Sequence, residues 1–450
     1  MPPQGKLGKA PLGITLIYMA AISFVALFLV YPILNLLISS VSVFFGTGEP
    51  LPASFFPYML RVTGNTFFLA ALTTFFSILV SLPLATLIVK FKVRAPGIWL
   101  GLLTIPLITP AFISSFSVII LLGRTGIITR ALKLIGIPFP QIYGLLGLVI
   151  TQTLHTIPYS LLVIVAGLKT VPRHIEEAAQ SMGTGVLTTQ TRIVIPYIMP
   201  HILMASIMVF LTSIGDIGGP LIIGGSYKVI SMEIYSNFIS YLGDERIPLI
   251  FSAWLIFLSC FLMVGVNRLM KLTNVRHKFK VGIMEYDIKG ARTGGTIAIA
   301  LTAFILLLPY LAILIQSFAV RWNNTWLPAA FTTDFYTKVI REGGTILKTL
   351  ILLGVVTPIT VLLGIIFGEM YKTRPRLRWL SYITLLPFIL PGVVIGVSLI
   401  QSFSTLKILG ISLSGSVVLL VAAIAIRRLP IVLKPIEAGF AKIDPGQEEA

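Results

Sequence analysis

Cysteine is almost absent from the chain: 450 residues contain a single one, Cys260, set inside an apolar run. One thiol excludes both a disulfide framework and a thiolate metal cluster. Histidine is nearly as scarce. The four present have no ligand spacing, which argues against tight metal coordination, and no metal site is expected. Charged residues make up 11% of the chain, where a soluble domain carries about 25%, so a soluble globular fold is excluded. The phosphate-cradling Gly-x-x-x-x-Gly-Lys-Ser/Thr loop is missing, and no catalytic constellation replaces it. The chain is therefore not read as an enzyme, and any ATP that drives it must be hydrolysed by a partner.

What is abundant is apolar. Hydrophobic residues reach 56% and the mean hydropathy is +0.97. Runs of about 18 residues or more recur, long enough to cross a hydrocarbon core of about 30 Å. The net charge of +18 would suit a nucleic-acid partner, but its distribution gives another explanation. Bases cluster between apolar runs: Lys90, Lys92 and Arg94; Arg268, Lys271, Arg276, Lys278 and Lys280; Lys372, Arg374, Arg376 and Arg378. Such alternation marks cytoplasmic loops, so the expected surroundings are a lipid bilayer and not nucleic acid. The first apolar run is too long for a signal-peptide core and reads as a retained helix.

The expected class is an all-α polytopic membrane protein. Spans are expected near 12–42, 66–90, 97–122, 143–168, 197–224, 247–270, 294–319, 346–371, 378–404 and 413–438. The loops near 90–96, 169–196, 268–293, 371–378 and 439–450 then face the cytoplasm. AGLKTVPRHIEEA (Ala166–Ala178) aligns without gaps on AGFAKIDPGQEEA (Ala438–Ala450), and IPLITP (Ile105–Pro110) matches LPFILP (Leu386–Pro391). The repeat returns after six spans, an even number, so the halves are parallel repeats. They are expected at 1–270 and 294–450, joined by a charged cytoplasmic linker at 271–293. By the repeat, the second half reads as incomplete, with a second polar loop beginning at 442–450; ten of twelve expected spans are present.

The most polar passage of the first half is HIEEAAQSMGTGVLTTQTRIVIP (His174–Pro196). Glu176, Glu177, Ala178, Ala179 and Met182 suit a short helix with acids near its N-terminus, where the helix dipole favours them. Two or three turns are not stable alone in water, so such a helix needs a docking partner. Glu-Ala-Ala, three residues, Gly183, nine residues and Ile193-Val194-Ile195-Pro196 together resemble the EAA loop of permease subunits of bacterial ABC importers. Ile195 stands where leucine is usual. Glu448, Glu449 and Ala450 begin a second copy. The resemblance implies that both short helices dock into cytoplasmic ATP-binding subunits. It also implies two such subunits holding ATP and magnesium, an extracytoplasmic substrate-binding protein, and a place in the bacterial inner membrane.

Two fused halves, RRLP (Arg427–Pro430) and GDIGGPLIIGG (Gly215–Gly225) are similar to features of the ferric-iron permease group, with Ile217 in place of phenylalanine. Ferric iron is then the expected cargo. A phosphonate, sugar phosphate, polyamine or thiosulfate is the alternative, and an ion-coupled secondary transporter is a rival of another class. Within the spans, Asp216 with Gly218, Gly219 and Pro220 implies a broken helix, read either as a gate facing substrate or as a buried turn whose freed amides the carboxylate caps. His155 and Arg427, each three residues before a proline, with Arg428 beside the latter, either face the pathway or pair with backbone carbonyls freed by those prolines. Pro106 and Pro110, echoed by Pro387 and Pro391, are expected to kink their helices.

Overall fold

The computed structural model describes residues 12–45, 51–241, 243–272, 282–322, 325–326, 328–408 and 411–440. It is helical apart from a two-residue antiparallel hairpin, β1 (Lys407–Ile408) and β2 (Ile411–Ser412). Among the described residues, seven helices are long and apolar enough to cross a membrane, and nine if each of two bent pairs counts as one span. The expected class, an all-α polytopic membrane protein, is observed.

In chain order the helices are α1 (Leu12–Phe45, with one π-helical turn), α2 (Phe55–Lys90), α3 (Pro96–Ile108), α4 (Ala111–Leu122), α5 (Ile127–Leu134) and α6 (Leu145–Leu168). There follow α7 (Arg173–Ser181), α8 (Val186–Tyr197), α9 (Met199–Ile214), α10 (Gly218–Ile223), α11 (Ile230–Ile239) and α12 (Arg246–Leu272). The last six are α13 (Lys289–Ser317), α14 (Asp334–Arg341), α15 (Gly344–Thr373), α16 (Leu380–Ile389), α17 (Gly392–Phe403) and α18 (Val417–Phe440).

Each apolar run is helical, but those expected near 97–122, 197–224 and 378–404 are each broken into more than one helix, and edges moved where hydropathy misleads. Helix α2 starts at Phe55 rather than near 66. Pro57, Arg61 and Gly64 depress the hydropathy of its first turns, yet a proline in the first turn has no amide that the helix needs. At 1.5 Å per residue its 36 residues reach about 54 Å, well beyond the hydrocarbon core.

The expected kinks are present as breaks at the second proline of each pair. Pro106 and Pro387 sit inside α3 and α16. Pro110 and Pro391 end the preceding helices and cap the next, with nearly the same backbone angles, φ −58° and ψ 138° against φ −58° and ψ 143°. The residue before each is extended, Thr109 at ψ 135° and Leu390 at ψ 134°, because a proline ring excludes helical geometry from its predecessor. Helices α16 and α17 consequently meet at a bend of 105°, counted from Pro375. The matched phrases IPLITP and LPFILP thus encode the same break.

By spatial contact the chain forms two compact units. One takes its described residues from Met1–Pro52, Glu233–Cys260 and Ile340–Ala450; the other from Ala53–Met232 and Phe261–Val339. In the first, α1 lies along α17 and α15, with Tyr18 Oη 3.3 Å from Thr373 Oγ1 and Asn35 Nδ2 donating to Ser402 Oγ at 3.0 Å. In the second, α2, α6 and α9 pack together and α13 lies on α3 and α4. Its larger core joins Leu84, Ile88, Leu103, Leu161, Ile164, Val194, Ile198, Ile202 and Ile299, all buried.

Between α2 and α6 runs a polar seam. Thr73 Oγ1 donates to Gln152 Oε1 at 3.2 Å, Ser77 Oγ lies 2.7 Å from Thr156 Oγ1, and Ser81 Oγ lies 2.6 Å from Ser160 Oγ. Each step is four residues on both helices, so the helices run parallel and meet along one face. Small side chains let the backbones approach, and each hydroxyl finds a partner in a setting without water.

Candidate functional site

Helix α7 is the EAA segment, and its length is fixed at its C-terminus by Gly183. That residue has φ +82°, the left-handed region that costs a side-chain-bearing residue about 1–2 kcal/mol. Gly183 N donates to Gln180 O at 2.8 Å and Thr184 N to Ala179 O at 3.2 Å. This pair of reversed bonds is the Schellman stop. No neighbour lies within 4 Å of a Cβ placed on Gly183, so conformation rather than crowding selects glycine here. The spacing from Glu-Ala-Ala to glycine is therefore the length of the helix.

One face of α7 is exposed: Arg173, His174, Glu177, Ala178, Ser181 and Met182, the last 79% accessible. Arg173 Nε donates to Glu177 Oε1 at 2.6 Å across one helical turn, an exposed pair worth about 0.3–0.5 kcal/mol. Leu187, at the start of α8, continues the apolar exposure. The opposite face carries Ala179 and Glu176, both buried.

Glu176 corrects the expectation for one docking residue. Its side chain is wholly inaccessible and turned into the protein, so it holds α7 in place and offers nothing to a partner. Its Oε1 accepts from Lys90 Nζ, also inaccessible. Its Oε2 accepts from Tyr286 Oη at 2.8 Å and from Gln190 Nε2 at 3.2 Å. Gln190 Nε2 also donates to Tyr286 Oη at 3.2 Å. Lys90, grouped from the sequence with the solvated loop bases, instead ends α2 beneath α7, where a cation complements the C-terminal end of a helix.

Lys90, Gln190 and Tyr286 are the residues that sequence reasoning missed. Their one local signal was an aromatic residue in the charged linker around Met284–Lys289. Burial and the carboxylate of Glu176 push the Tyr286 phenol well above its ordinary range, so it stays a proton donor. The linker expected at 271–293 is thus seated in part: Tyr286 is buried and α13 begins at Lys289.

At the far end of α9, Asp216 occupies the turn before α10. Its carboxylate accepts from Gly218 N at 3.0 Å, Gly219 N at 3.2 Å and Gln152 Nε2 at 3.0 Å, while its carbonyl accepts from Ser231 Oγ at 2.6 Å. Ser213 Oγ donates to Gln152 Oε1 at 2.5 Å, which ties this turn to the α2–α6 seam. Asp216 therefore caps freed amides, the second of the two readings. Gly218 packs so closely that an added Cβ would lie 2.9 Å from Phe112 N, and Pro220 is buried in α10. In the other unit, Arg427 Nη1 donates to Leu390 O at 2.7 Å and to Pro387 O at 3.4 Å. It satisfies carbonyls at the break before Pro391, on a neighbouring helix and not its own. Arg428 is exposed. His155 is partly buried with its ring 6.0 Å from that of Tyr159. Glu448, Glu449 and Ala450 lie outside the described residues.

No family model matches the sequence. The chain is 26% identical over 412 residues to the ferric transport system permease protein FbpB of Actinobacillus pleuropneumoniae, covering 87% of this chain and 58% of that one. It is 26% identical over 446 residues to the putative ferric transport system permease protein FbpB 1 of Haemophilus influenzae, covering 94% of this chain and 68% of that one. A chain of a bacterial alginate ABC transporter, solved in complex with an alginate pentasaccharide-bound periplasmic protein, superposes with a TM-score of 0.43 at 18% identity. That match covers 60% of this chain and 96% of the other, a score too low to define the fold by itself. The class is that of a multi-pass protein of the bacterial inner membrane. More particularly, the chain resembles the permease subunits of ABC importers, the ferric transport permeases among them, over most of its length.

Proposed function

We propose that this chain is the transmembrane permease subunit of an ATP-driven importer, with α7 as its docking helix for a cytoplasmic ATP-binding subunit. One observation carries the reading. A nine-residue helix, too short to persist unaided, is anchored on one face by a buried carboxylate, stopped by a left-handed glycine, and bare on the other face. Such a helix transmits force because it is fixed to the protein behind it and free in front. Two ATP-binding subunits, each with ATP and magnesium, drive reorientation of the pathway through differential contacts with its two states. An extracytoplasmic binding protein delivers the cargo, ferric iron, and the names of the relatives support that choice.

The test is co-purification. An ATP-binding subunit stays with the unaltered chain. With Gly183→Ala, the strain of about 1–2 kcal/mol falls on the helix end and weakens retention about 5–30-fold; Glu177→Ala weakens it as well. Undiminished retention in both variants overturns the docking role. Uptake of labelled ferric iron into vesicles holding all subunits tests the cargo, and uptake of a phosphonate, sugar phosphate, polyamine or thiosulfate in its place overturns it.

A further inference from the structure

Residues 282–288, which by sequence only join the two repeats, have a specific seat. Tyr286 N donates to Lys90 O at 2.7 Å and Lys92 N donates to Tyr286 O at 3.4 Å, a parallel bridge between Phe91 and Tyr286. Their rings lie 5.8 Å apart. Lys92 Nζ reaches Asp287 Oδ2 at 3.2 Å, with both side chains about half exposed. The backbone bridge sets Tyr286 so that its hydroxyl closes the third side of the Glu176 carboxylate, opposite Lys90 and beside Gln190.

Three residues after Tyr286 α13 begins, and its first turns are seated on the same end of α2. A Cβ on Gly295 would lie 3.1 Å from Leu87 Cδ2 and 3.3 Å from Val93 Cγ1. Arg94 N donates to Thr296 Oγ1 at 3.3 Å. Helix α7 of the first repeat and α13, the first helix of the second, therefore share one anchorage.

We propose that residues 282–288 are a latch that ties the docking helix of the first repeat to the leading helix of the second, with Tyr286 as the positioning residue for Glu176. This rests on the docking role of α7. A pull on α7 then reaches α13 directly, through one phenolic hydrogen bond and three peptide units, without passing along α8 and α9. The buried Lys90–Glu176 pair alone would fix α7 to α2; the phenol adds the link to α13. Because the phenol lies against a carboxylate and a neutral amide, its loss leaves a charged acceptor with one donor fewer on Oε2.

Hydrogen–deuterium exchange of the full chain in nanodiscs of phosphatidylethanolamine and phosphatidylglycerol tests the latch. Tyr286→Phe removes the hydroxyl and keeps the ring. It is expected to speed exchange of amides 176–184 about tenfold, the scale set by a hydrogen bond to a charged group, while α6 stays unchanged. Unaltered exchange of these amides in Tyr286→Phe overturns the latch. Should that variant loosen α6 as well, Gln190→Ala takes its place: faster exchange in both 283–287 and α7 supports the latch, and faster exchange in α7 alone overturns it. With an ATP-binding subunit bound, Tyr286→Phe is further expected to lower cargo moved per ATP hydrolysed, with both proteins retained. Equal cargo per ATP overturns the link. Failure of any ATP-binding subunit to co-purify with the unaltered chain sinks the proposed function, while the exchange result still judges the latch.

Discussion

Glu176 shows what a single residue adjacent to a motif contributes. Removing water from a lysine and a carboxylate together costs several kcal/mol for each ion, and their attraction with added hydrogen bonds offsets it. Glu176→Gln or Lys90→Met alone, leaving the other charge buried and unpaired, should each destabilise the chain by about 3–5 kcal/mol. The double variant should cost much less than the sum, as read by unfolding in detergent. Additive effects would mean that the two side chains do not form the pair. Tyr286 gives the alkaline counterpart. Its phenol is held above the ordinary value of 10.0 by burial and then by Glu176, so its contribution is complete below that pH and disappears as pH rises through the higher folded value. Exchange protection of α7 should stay level from about pH 6 to 9 and fall only in more alkaline solution, with that fall absent in Tyr286→Phe. A loss of protection near neutrality would contradict the arrangement. None of these partners was legible in sequence, because Lys90, Glu176, Gln190 and Tyr286 are joined by folding and not by spacing. Glu177, Ala178 and Gly183 were legible because helix length and helix stop are local properties.

Among the elements, the apolar runs announced their helices, and the matched proline phrases announced two matched breaks. What misled was the place of each break. A proline inside a run suggests a kink at itself, whereas the residue before Pro110 or Pro391 is the one forced out of helical geometry. Helix α10 falls inside the span expected near 197–224, beyond the expected break, whereas α11 was hidden because it lies between expected spans. The seam between α2 and α6 is a further element-scale feature, written as Thr73, Ser77 and Ser81 against Gln152, Thr156 and Ser160. Replacing Ser77 and Thr156 by alanine, singly and together, should reveal a coupling of about 0.6 kcal/mol. A coupling indistinguishable from zero would make the 2.7 Å contact a neighbour relation without energetic weight.

The whole molecule was legible as a membrane protein from charge scarcity and run length alone, and the sum of its loops gives an expected orientation. That orientation makes a direct prediction. In a Cys260→Ser background, a cysteine at Ser181 should react with an impermeant maleimide only in inverted vesicles, and one at Lys133 only in intact cells stripped of their outer membrane. The reverse pattern would invert every loop assignment. The grouping of α1 with α15, α17 and α18 was not legible, because hydropathy orders spans along the chain and carries no record of which spans touch.

The seam also has a mechanical consequence. Its rungs repeat every four residues on two parallel helices, so it possesses degenerate registers. If α2 slides one turn against α6, about 5.4 Å, Ser77 comes opposite Gln152 and Ser81 opposite Thr156, and two of the three rungs re-form with similar chemistry. Apolar ridges offer no such detent, and a single strong pair would forbid the slide. Cysteines at positions 77 and 152 that cross-link during turnover would trap the displaced register. Cysteines that never do so would mean a seam locked at its resting notch.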